Sequence, residues 1–379
     1  MKGFYVVDCV VAGVLTAPGA VERVLGADHA PLNQIPVEID DHALHLCEPG
    51  KHPALVATSG ARTKGHLLQG LSEGDLARLG FYEESFGRQV QSLTVTLPDG
   101  SRADVPSWVA PATLPHEETP CDFETWWTTW QVVALRMAEN LIAFYGRKPA
   151  AEMGKSLYSM RIRAAAWRDA QAQPLDPERD LSRDVVVHAH RREYINFFAM
   201  EEMDLQFRRF DGSLSPVMNR GAALVGAASV LLPYDVARDS VLLIEQFRAP
   251  LFMVGDRSPW LWEPPAGLID PGETPSEAAL REAKEEAGLT VSHLEEVGSM
   301  YPSSGASGEF IHIFCGLADF SSIVGGGGVP SEGEDIRSKV ISFHELMDGV
   351  DRRTFRDMPL VTAALWLARH RDRLRAEFG

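Results

Sequence analysis

The stretch REAKEEAG, residues 281–288, places Glu282, Glu285 and Glu286 within five positions. Residues three and four apart lie on the same face of a helix, so these carboxylates would be neighbours. Like charges at that spacing destabilise a helix by about 0.2–0.5 kcal/mol per pair. A divalent cation would reverse the repulsion, and oxygen ligands of this kind suit Mg²⁺ or Mn²⁺. The alternative is a solvated acidic helix face, the usual explanation of a short charge run.

The residues before this helix favour the metal site. Gly267 is followed by five residues and Glu273, and seven more residues separate Glu273 from Arg281. A glycine lets a backbone carbonyl approach an ion without an intervening Cβ, and Arg281 can pair with Glu273 to hold the loop on the helix. Seven specified positions, each filled by chance at roughly 7%, give about 10⁻⁸ per starting site. Chance is therefore a poor explanation of the run.

The complete run resembles the Nudix box: glycine, five residues, glutamate, seven residues, arginine, glutamate, an aliphatic residue, one residue, two glutamates, one residue, glycine and an aliphatic residue. Ala283 fills the first aliphatic position here. The flanking segments WLWEPPAGLIDPGETP and EGEDIRSKVISFHELMDG resemble bacterial ADP-ribose pyrophosphatases, in the branch associated with tellurite resistance. The resemblance implies a Nudix fold and metal-dependent hydrolysis of a nucleoside diphosphate linked to another moiety.

This resemblance also implies roles for individual residues. The metal ligands would be the backbone carbonyl of Ala266 and the side chains of Glu282, Glu286 and Glu334, which together would hold two or three Mg²⁺ or Mn²⁺ ions. Glu332 would be the general base, and Glu285 would orient water or bind a further ion. The substrate would contact Arg220, Arg248 and Glu263. Glu309, in SSGASGEF, is either a further site carboxylate or an ordinary exposed one.

Two segments after the helix bear on the reaction. GGGGVPSEGED, residues 325–335, joins a tetraglycine to an acidic tip, a composition typical of a mobile loop that brings a base into a site. Its alternative is a solvated acidic loop. Residues 303–305 read Ser-Ser-Gly where many ADP-ribose enzymes have Ser-Pro-Gly. ADP-ribose, cleaved to AMP and ribose 5-phosphate, is the predicted substrate, and another nucleoside diphosphate sugar is the alternative.

The N-terminal half resembles the γ-glutamylcyclotransferase-like domain, a small β-barrel family, through ADHAPLNQIPVEID and GLSEGDLARLGFYEESFGRQVQSLTVTLPDG. The resemblance implies an acid/base role for Glu83. Active members carry tyrosine–glycine–threonine/serine–leucine at the end of the first strand, whereas residues 12–15 here read Ala-Gly-Val-Leu. Neither the Ala12 nor the Val14 side chain can hydrogen-bond. A non-catalytic module is therefore favoured, with cyclotransferase activity or an ordinary surface position for Glu83 as alternatives.

Strand-like runs and helical stretches both occur along the chain, so the predicted architecture is α+β. Because 379 residues exceed what one hydrophobic core usually organises, two domains are expected. We expect a γ-glutamylcyclotransferase-like β-barrel at residues 1–120, a helical extension and linker at 121–180, and a Nudix α/β/α sandwich with a mixed sheet at 181–379. A long helix is predicted between Asp122 and Gly146. Residues 4–15 are predicted to form a strand, with a weak signal peptide as the alternative.

Composition narrows the possible partners and compartment. The net charge of −17 argues against binding to nucleic acid. Without 18 consecutive apolar residues, no membrane span is expected. Four scattered cysteines predict neither a disulfide framework nor a zinc site, and they fit a cytoplasmic location. The Nudix resemblance implies a homodimer acting on a small nucleoside diphosphate.

Overall fold

The computed structural model describes residues 7–26, 29, 31–321 and 335–379. Its Cα positions divide the chain into two compact units, Met1–Gly221 and Ala222–Gly379. The predicted start of the second domain, at residue 181, lies within the first of these units.

The first unit contains a five-stranded antiparallel sheet with the strand order β1-β3-β2-β4-β5. Its strands are β1 (Val7–Ala12), β2 (Asn33–Cys47), β3 (His52–Leu71), β4 (Gln89–Thr96) and β5 (Arg102–Val109). Val10, Ile39 and Val95 are fully buried at its centre. The strand predicted within residues 4–15 is thus confirmed over β1. In the described residues the ladders run from β1 to β5 without a β5–β1 ladder, and the small β-barrel stays a prediction.

Helices and a second sheet complete the first unit. The helices are α1 (Ala20–Leu25), α2 (Glu73–Ser85), α3 (Phe123–Ile142), α4 (Ala150–Gly154), α5 (Leu157–Gln171) and α6 (Leu181–Asp184). A three-stranded sheet follows, with β6 (Val185–Ile195), β7 (Ala199–Phe207) and β8 (Met218–Leu224). Asp122 caps α3 by accepting from the Thr125 N–H, as predicted. The helix ends earlier than predicted, and turns lead from Ile142 to Gly146, whose φ is 75°.

The second unit is built on a seven-stranded mixed sheet. Its strands are β9 (Ala227–Asp235), β10 (Ser240–Phe247), β11 (Trp260–Glu263), β12 (Ala266–Leu268), β13 (Val291–Met300), β14 (Phe310–Ala318) and β15 (Arg337–Ser342). The order is β11-β10-β9-β14-β13, with β12 also paired to β9 and β15 to β10. The β9–β14 pair is parallel and the others are antiparallel. The predicted mixed sheet is therefore confirmed.

Helices cover both faces of this sheet: α7 (Ala249–Met253), α8 (Pro275–Ala287), α9 (Phe343–Asp351) and α10 (Met358–Phe378). Leu231 packs with Ala279 and Ala283 of α8. Its neighbour Leu232 packs with Leu346 of α9 and Leu360 of α10. Successive strand residues point to opposite faces, so α8 lies on one side and α9 and α10 on the other. Among helices in the described part of the chain, none has the length and hydropathy needed to cross a bilayer.

The helix α8 is closed at both ends by its own sequence. Thr274 and Glu277 form a capping box, Pro275 occupies the first turn, and Gly288 ends the helix in the left-handed region with φ of 65°. The residues that α8 buries are four alanines and one glutamate, at positions 278, 279, 283, 287 and 286. Small side chains bring the helix close to the sheet, which is why a single large polar residue, Glu286, is carried into the interior.

Candidate functional site

The loop before α8 passes directly over a carboxylate of that helix. Gly267 on β12 pairs with Ser229 on β9, which fixes its position above the sheet. A Cβ added at residue 267 would lie 1.8 Å from Glu282 Oε1 and 2.3 Å from Glu282 Cδ. Real Cβ atoms essentially never approach another heavy atom within 3.0 Å. The Glu282 carboxylate therefore occupies the space that only a glycine leaves open.

Glu286 projects to the interior and is held at both oxygens. It is 1% exposed. The Ala266 N–H donates to Glu286 Oε2 (2.8 Å), and the Gln246 side-chain amide donates to Glu286 Oε1 (3.3 Å). The carboxylate is thereby fixed to β12 on one side and β10 on the other.

Arg281 connects the loop with two carboxylates of α8, Glu282 and Glu285. Its guanidinium forms a two-pronged contact with Glu273 (2.8 and 2.9 Å) and also donates to Leu268 O (3.1 Å). Its Nη1 donates to Glu282 Oε1 (2.6 Å) and Glu285 Oε2 (3.1 Å). Hydrogen bonding from Arg281 lowers the pKa of Glu273, and the same contact raises the pKa of Arg281. The predicted Arg281–Glu273 pair is confirmed.

A second charged group lies beside this helix. Arg248, the residue before α7, forms an ion pair with Glu263 at the end of β11, with Nη2 2.7 Å from Oε1. Glu263 is 5% exposed, and burial raises its pKa while Arg248 opposes the rise. Burial disfavours the Arg248 cation, yet the charges of Glu263, Glu286 and Asp357 raise its pKa overall. Arg248 is thus a cation held among carboxylates.

The possible ligands fit a hard divalent metal. The side chains of Glu282 and Glu286 and the backbone carbonyl of Ala266 would coordinate through oxygen atoms, which Mg²⁺ and Mn²⁺ prefer over softer ligands. Across residues 7–26, 29, 31–321 and 335–379, no three His, Cys, Asp or Glu side chains cluster closely enough to hold a metal by themselves. Glu332 and Glu334, the predicted base and fourth ligand, lie outside the described residues.

The sequence around this site is similar to that of known proteins. Residues 224–358 match the NUDIX domain model. An ADP-ribose pyrophosphatase of Escherichia coli (strain K12) is 36% identical over 196 residues, which cover 52% of this chain and 93% of that protein. The chain belongs to the Nudix hydrolase family.

Other relatives carry two different names. An ADP-ribose pyrophosphatase of Haemophilus influenzae is 38% identical over 160 residues, covering 42% of this chain and 74% of that protein. A GDP-mannose pyrophosphatase of Cronobacter sakazakii is 34% identical over 171 residues, covering 44% and 85%. A solved structure of an ADP compounds hydrolase aligns with a TM-score of 0.40 and 20% identity over 52% of this chain and 97% of that one.

Three other predicted site residues of the Nudix hydrolase are Glu309, Glu285 and Arg220. Glu309 follows the loop before β14 and is partly buried; burial raises its pKa, and the Arg248 charge opposes the rise. Glu309 is therefore within electrostatic reach of Arg248. Glu285 is exposed and held by Arg281. Arg220 belongs to the first unit, on β8, where its guanidinium donates to the Asn219 carbonyl (2.8 Å).

Two residues of this site were not predicted from the sequence. Gln246 contacts Glu286 from a strand 40 residues away, and a neutral amide inside an apolar strand gave no signal. Asp357 caps α10 by accepting from the Leu360 N–H (2.8 Å), and burial raises its pKa while Arg248 opposes the rise. An aspartate before MPLVTAALWL is typical of a helix cap, which was the one available signal.

In the first unit, Glu83 lies in the last turn of α2 and is 3% exposed, so its interpretation as a surface residue was wrong. It is ion-paired with Arg88, whose Nη2 also donates to His52 Nδ1 (2.8 Å) and to Pro53 O (2.8 Å). Burial raises the pKa of Glu83, and Arg88 opposes the rise. The adjoining cavity is about 10 Å³, room for one water molecule. The Glu83 carboxylate is therefore buried and paired with the positive charge of Arg88.

Proposed function

We propose that this Nudix hydrolase cleaves the pyrophosphate of ADP-ribose in the presence of Mg²⁺ or Mn²⁺ and releases AMP and ribose 5-phosphate. The observation that carries the proposal is the pair of carboxylates from α8. Glu282 fills the space left by Gly267, and Glu286 is fixed against Ala266. The relatives named ADP-ribose pyrophosphatase, at 36–38% identity, support this substrate.

The ligands of the metal would be the Ala266 carbonyl, Glu282 and Glu286, together with Glu334. When bound, two or three Mg²⁺ or Mn²⁺ ions supply charge neutralisation at the phosphates and acidify a coordinated water. The chain contributes the placement of the carboxylates, because the Ala266 N–H and the Gln246 amide fix both oxygens of Glu286.

The proton and the substrate are handled by other residues. Glu332 would accept a proton from the attacking water, which adds to one phosphorus while the other phosphate departs. Glu285 would orient water near the exposed end of the carboxylates. Arg248, already oriented by Glu263, would place its remaining donors on the phosphates or ribose. Arg220 and Glu309 are proposed to contact the substrate as well.

A second candidate substrate is another nucleoside diphosphate sugar. The GDP-mannose pyrophosphatase relative at 34% identity favours it, and so does the Ser-Ser-Gly sequence at residues 303–305. A direct comparison separates the two: ADP-ribose, GDP-mannose and a diadenosine polyphosphate are each incubated with Mg²⁺ and wild-type protein or Glu286→Gln. We expect AMP from ADP-ribose with the wild type and at least a hundredfold less with the variant, on the scale of losing a key transition-state contact. Equal activity in the variant, or activity that survives chelation, contradicts the proposal.

For the first unit we propose a non-catalytic module with the γ-glutamylcyclotransferase-like fold. Support comes from the burial of Glu83 and its ion pair with Arg88, since a general acid/base must reach its substrate. Release of 5-oxoproline from γ-glutamyl peptides would contradict this proposal. We further propose a cytoplasmic homodimer that does not bind nucleic acid, with any tellurite resistance arising indirectly. Light scattering on the purified chain tests the dimer.

A further inference from the structure

Gln246 lies between two buried carboxylates near the end of β10. The residue is 8% exposed, and its Nε2 is 3.3 Å from Glu286 Oε1. Burial raises the pKa of the Glu263 carboxyl, and Arg248, followed by Gln246, counteracts the rise. The amide therefore hydrogen-bonds to the carboxylate of the α8 helix and lies close to the carboxylate that orients Arg248.

The geometry of the strands explains why one side chain reaches both groups. Gln246 pairs with Leu261 across the β10–β11 ladder, and Ile244 pairs with Glu263 two positions along. Residues 246 and 248 of one strand and 261 and 263 of the other share a face, because side chains alternate along strands. Arg248, Glu263 and Gln246 are thus directed to the same side of the sheet, the side on which Glu286 is buried.

An amide suits this position because of its hydrogen atoms and its lack of charge. The NH₂ group carries two donors and can serve two acceptors at once. A lysine or arginine here would compete with a metal for Glu286, and an apolar side chain would leave buried carboxylate oxygens without a donor. Glutamine holds Glu286 while leaving its negative charge available for a cation.

We propose that Gln246 is a positioning residue that couples metal binding at Glu286 to substrate binding at the Arg248–Glu263 pair. The inference rests on the proposed function of this site and adds a residue to it. Outer-shell partners of this kind typically change metal affinity by about 10–100-fold when removed. Loss of the amide removes a hydrogen bond from Glu286 and a polar neighbour from Glu263, so two separate properties should change together.

The test compares wild type with Gln246→Met, which keeps the length of the side chain and removes both donors. Mn²⁺ binding is measured without substrate, from the electron paramagnetic resonance signal of free Mn²⁺. The KM for ADP-ribose is measured at saturating Mg²⁺. We expect Mn²⁺ to bind about tenfold more weakly and KM to rise several-fold, with kcat changed much less. Gln206→Met is the matched control, since Gln206 is a strand glutamine of the first unit that donates to Ser215 O (2.6 Å).

The outcomes separate this inference from the proposed function. A folded Gln246→Met protein with wild-type Mn²⁺ affinity and wild-type KM overturns the inference and leaves the function intact. If the wild type binds Mn²⁺ but releases no AMP, the proposed function fails, and the Mn²⁺ comparison still decides whether Gln246 positions Glu286. Wild-type protein that binds no Mn²⁺ overturns both. If Gln246→Met does not fold, Gln246→Asn replaces it, because the shorter amide cannot serve both carboxylates and should shift the same two quantities.

Discussion

Gly267→Ala is the substitution that most directly tests the geometry of the carboxylate site. The new Cβ would lie 1.8 Å from Glu282 Oε1, whereas ordinary contacts begin near 3.4 Å. The carboxylate must therefore retreat by about 1.6 Å, the difference between these two distances. Gly267 does not have a positive φ, so alanine can adopt its backbone conformation. The effect should fall on Glu282 alone.

The expected loss of activity follows from that displacement. A misplacement of about 1 Å in a reacting assembly can cost about 100-fold in rate. We expect kcat/KM for ADP-ribose to fall by at least about 100-fold, equivalent to about 2.7 kcal/mol of transition-state stabilisation. Stability should change little. Alanine at a compatible glycine position stabilises a protein by about 0.4–1 kcal/mol, because it reduces the conformational entropy of the unfolded chain. Loss of the partly exposed Arg281–Glu282 pair has the opposite effect and costs about 0–1 kcal/mol.

Two measurements check this prediction. AMP release is followed with saturating Mg²⁺, and thermal unfolding is followed in chelator so that metal binding does not contribute. Gly74→Ala is the matched control: residue 74 also lacks a positive φ, and an added Cβ would meet only Ser72 Oγ, at 3.6 Å. A Gly267→Ala protein that retains more than a third of wild-type activity, or that loses activity only because it unfolds, contradicts the prediction.

Three further predictions concern charged groups outside this contact. Arg281→Lys should reduce activity by about tenfold, because a single ammonium cannot form the two-pronged contact with Glu273 and also reach Glu282; AMP release at saturating Mg²⁺ measures it. Hydrogen bonding from Arg371 lowers the pKa of Asp239 to about 2. Solvent screening of this partly exposed pair reduces the resulting stabilisation to about 1 kcal/mol. It is complete above about pH 4 and is lost as the pH falls toward 2, so Asp239→Asn should flatten the acid limb of stability measured by denaturant unfolding. Glu83→Gln should destabilise the chain by about 3 kcal/mol, because the buried Arg88 loses its counter-ion; urea unfolding checks this, and a loss below about 1 kcal/mol contradicts it.

The helix α8 and its loop could be predicted because their determinants lie within 22 residues, from Gly267 to Gly288. The Thr274 cap, the Gly288 stop and the Arg281–Glu273 pair are all local contacts between residues at fixed spacing. Local determinants of this kind need no knowledge of the sheet, and the predicted Arg281–Glu273 pair is confirmed.

Long-range contacts explain what the sequence did not reveal. Gln246 reaches Glu286 only because folding brings the end of β10 to the buried side of α8, and nothing in an apolar strand marks that neighbour. Glu83 looked exposed because charged residues at helix ends usually are. Its burial depends on Arg88, which lies five residues later, just before β4, and on His52, which lies 36 residues before Arg88. Partners from other elements decide whether such a charge is buried.

The three glutamates of REAKEEAG do not form one cluster, and this changes how their repulsion is relieved. Glu282 and Glu285 share a nitrogen of Arg281 at the surface of α8, while Glu286 points inward to the Ala266 N–H and the Gln246 amide. The positive charge of Arg281 offsets the two outer carboxylates, and neutral donors fix the inner one without removing its charge. Contacts within the chain therefore hold each of the three carboxylates in place. For the proposed metal-dependent reaction, we expect removal of the metal to cost activity well before it costs structure.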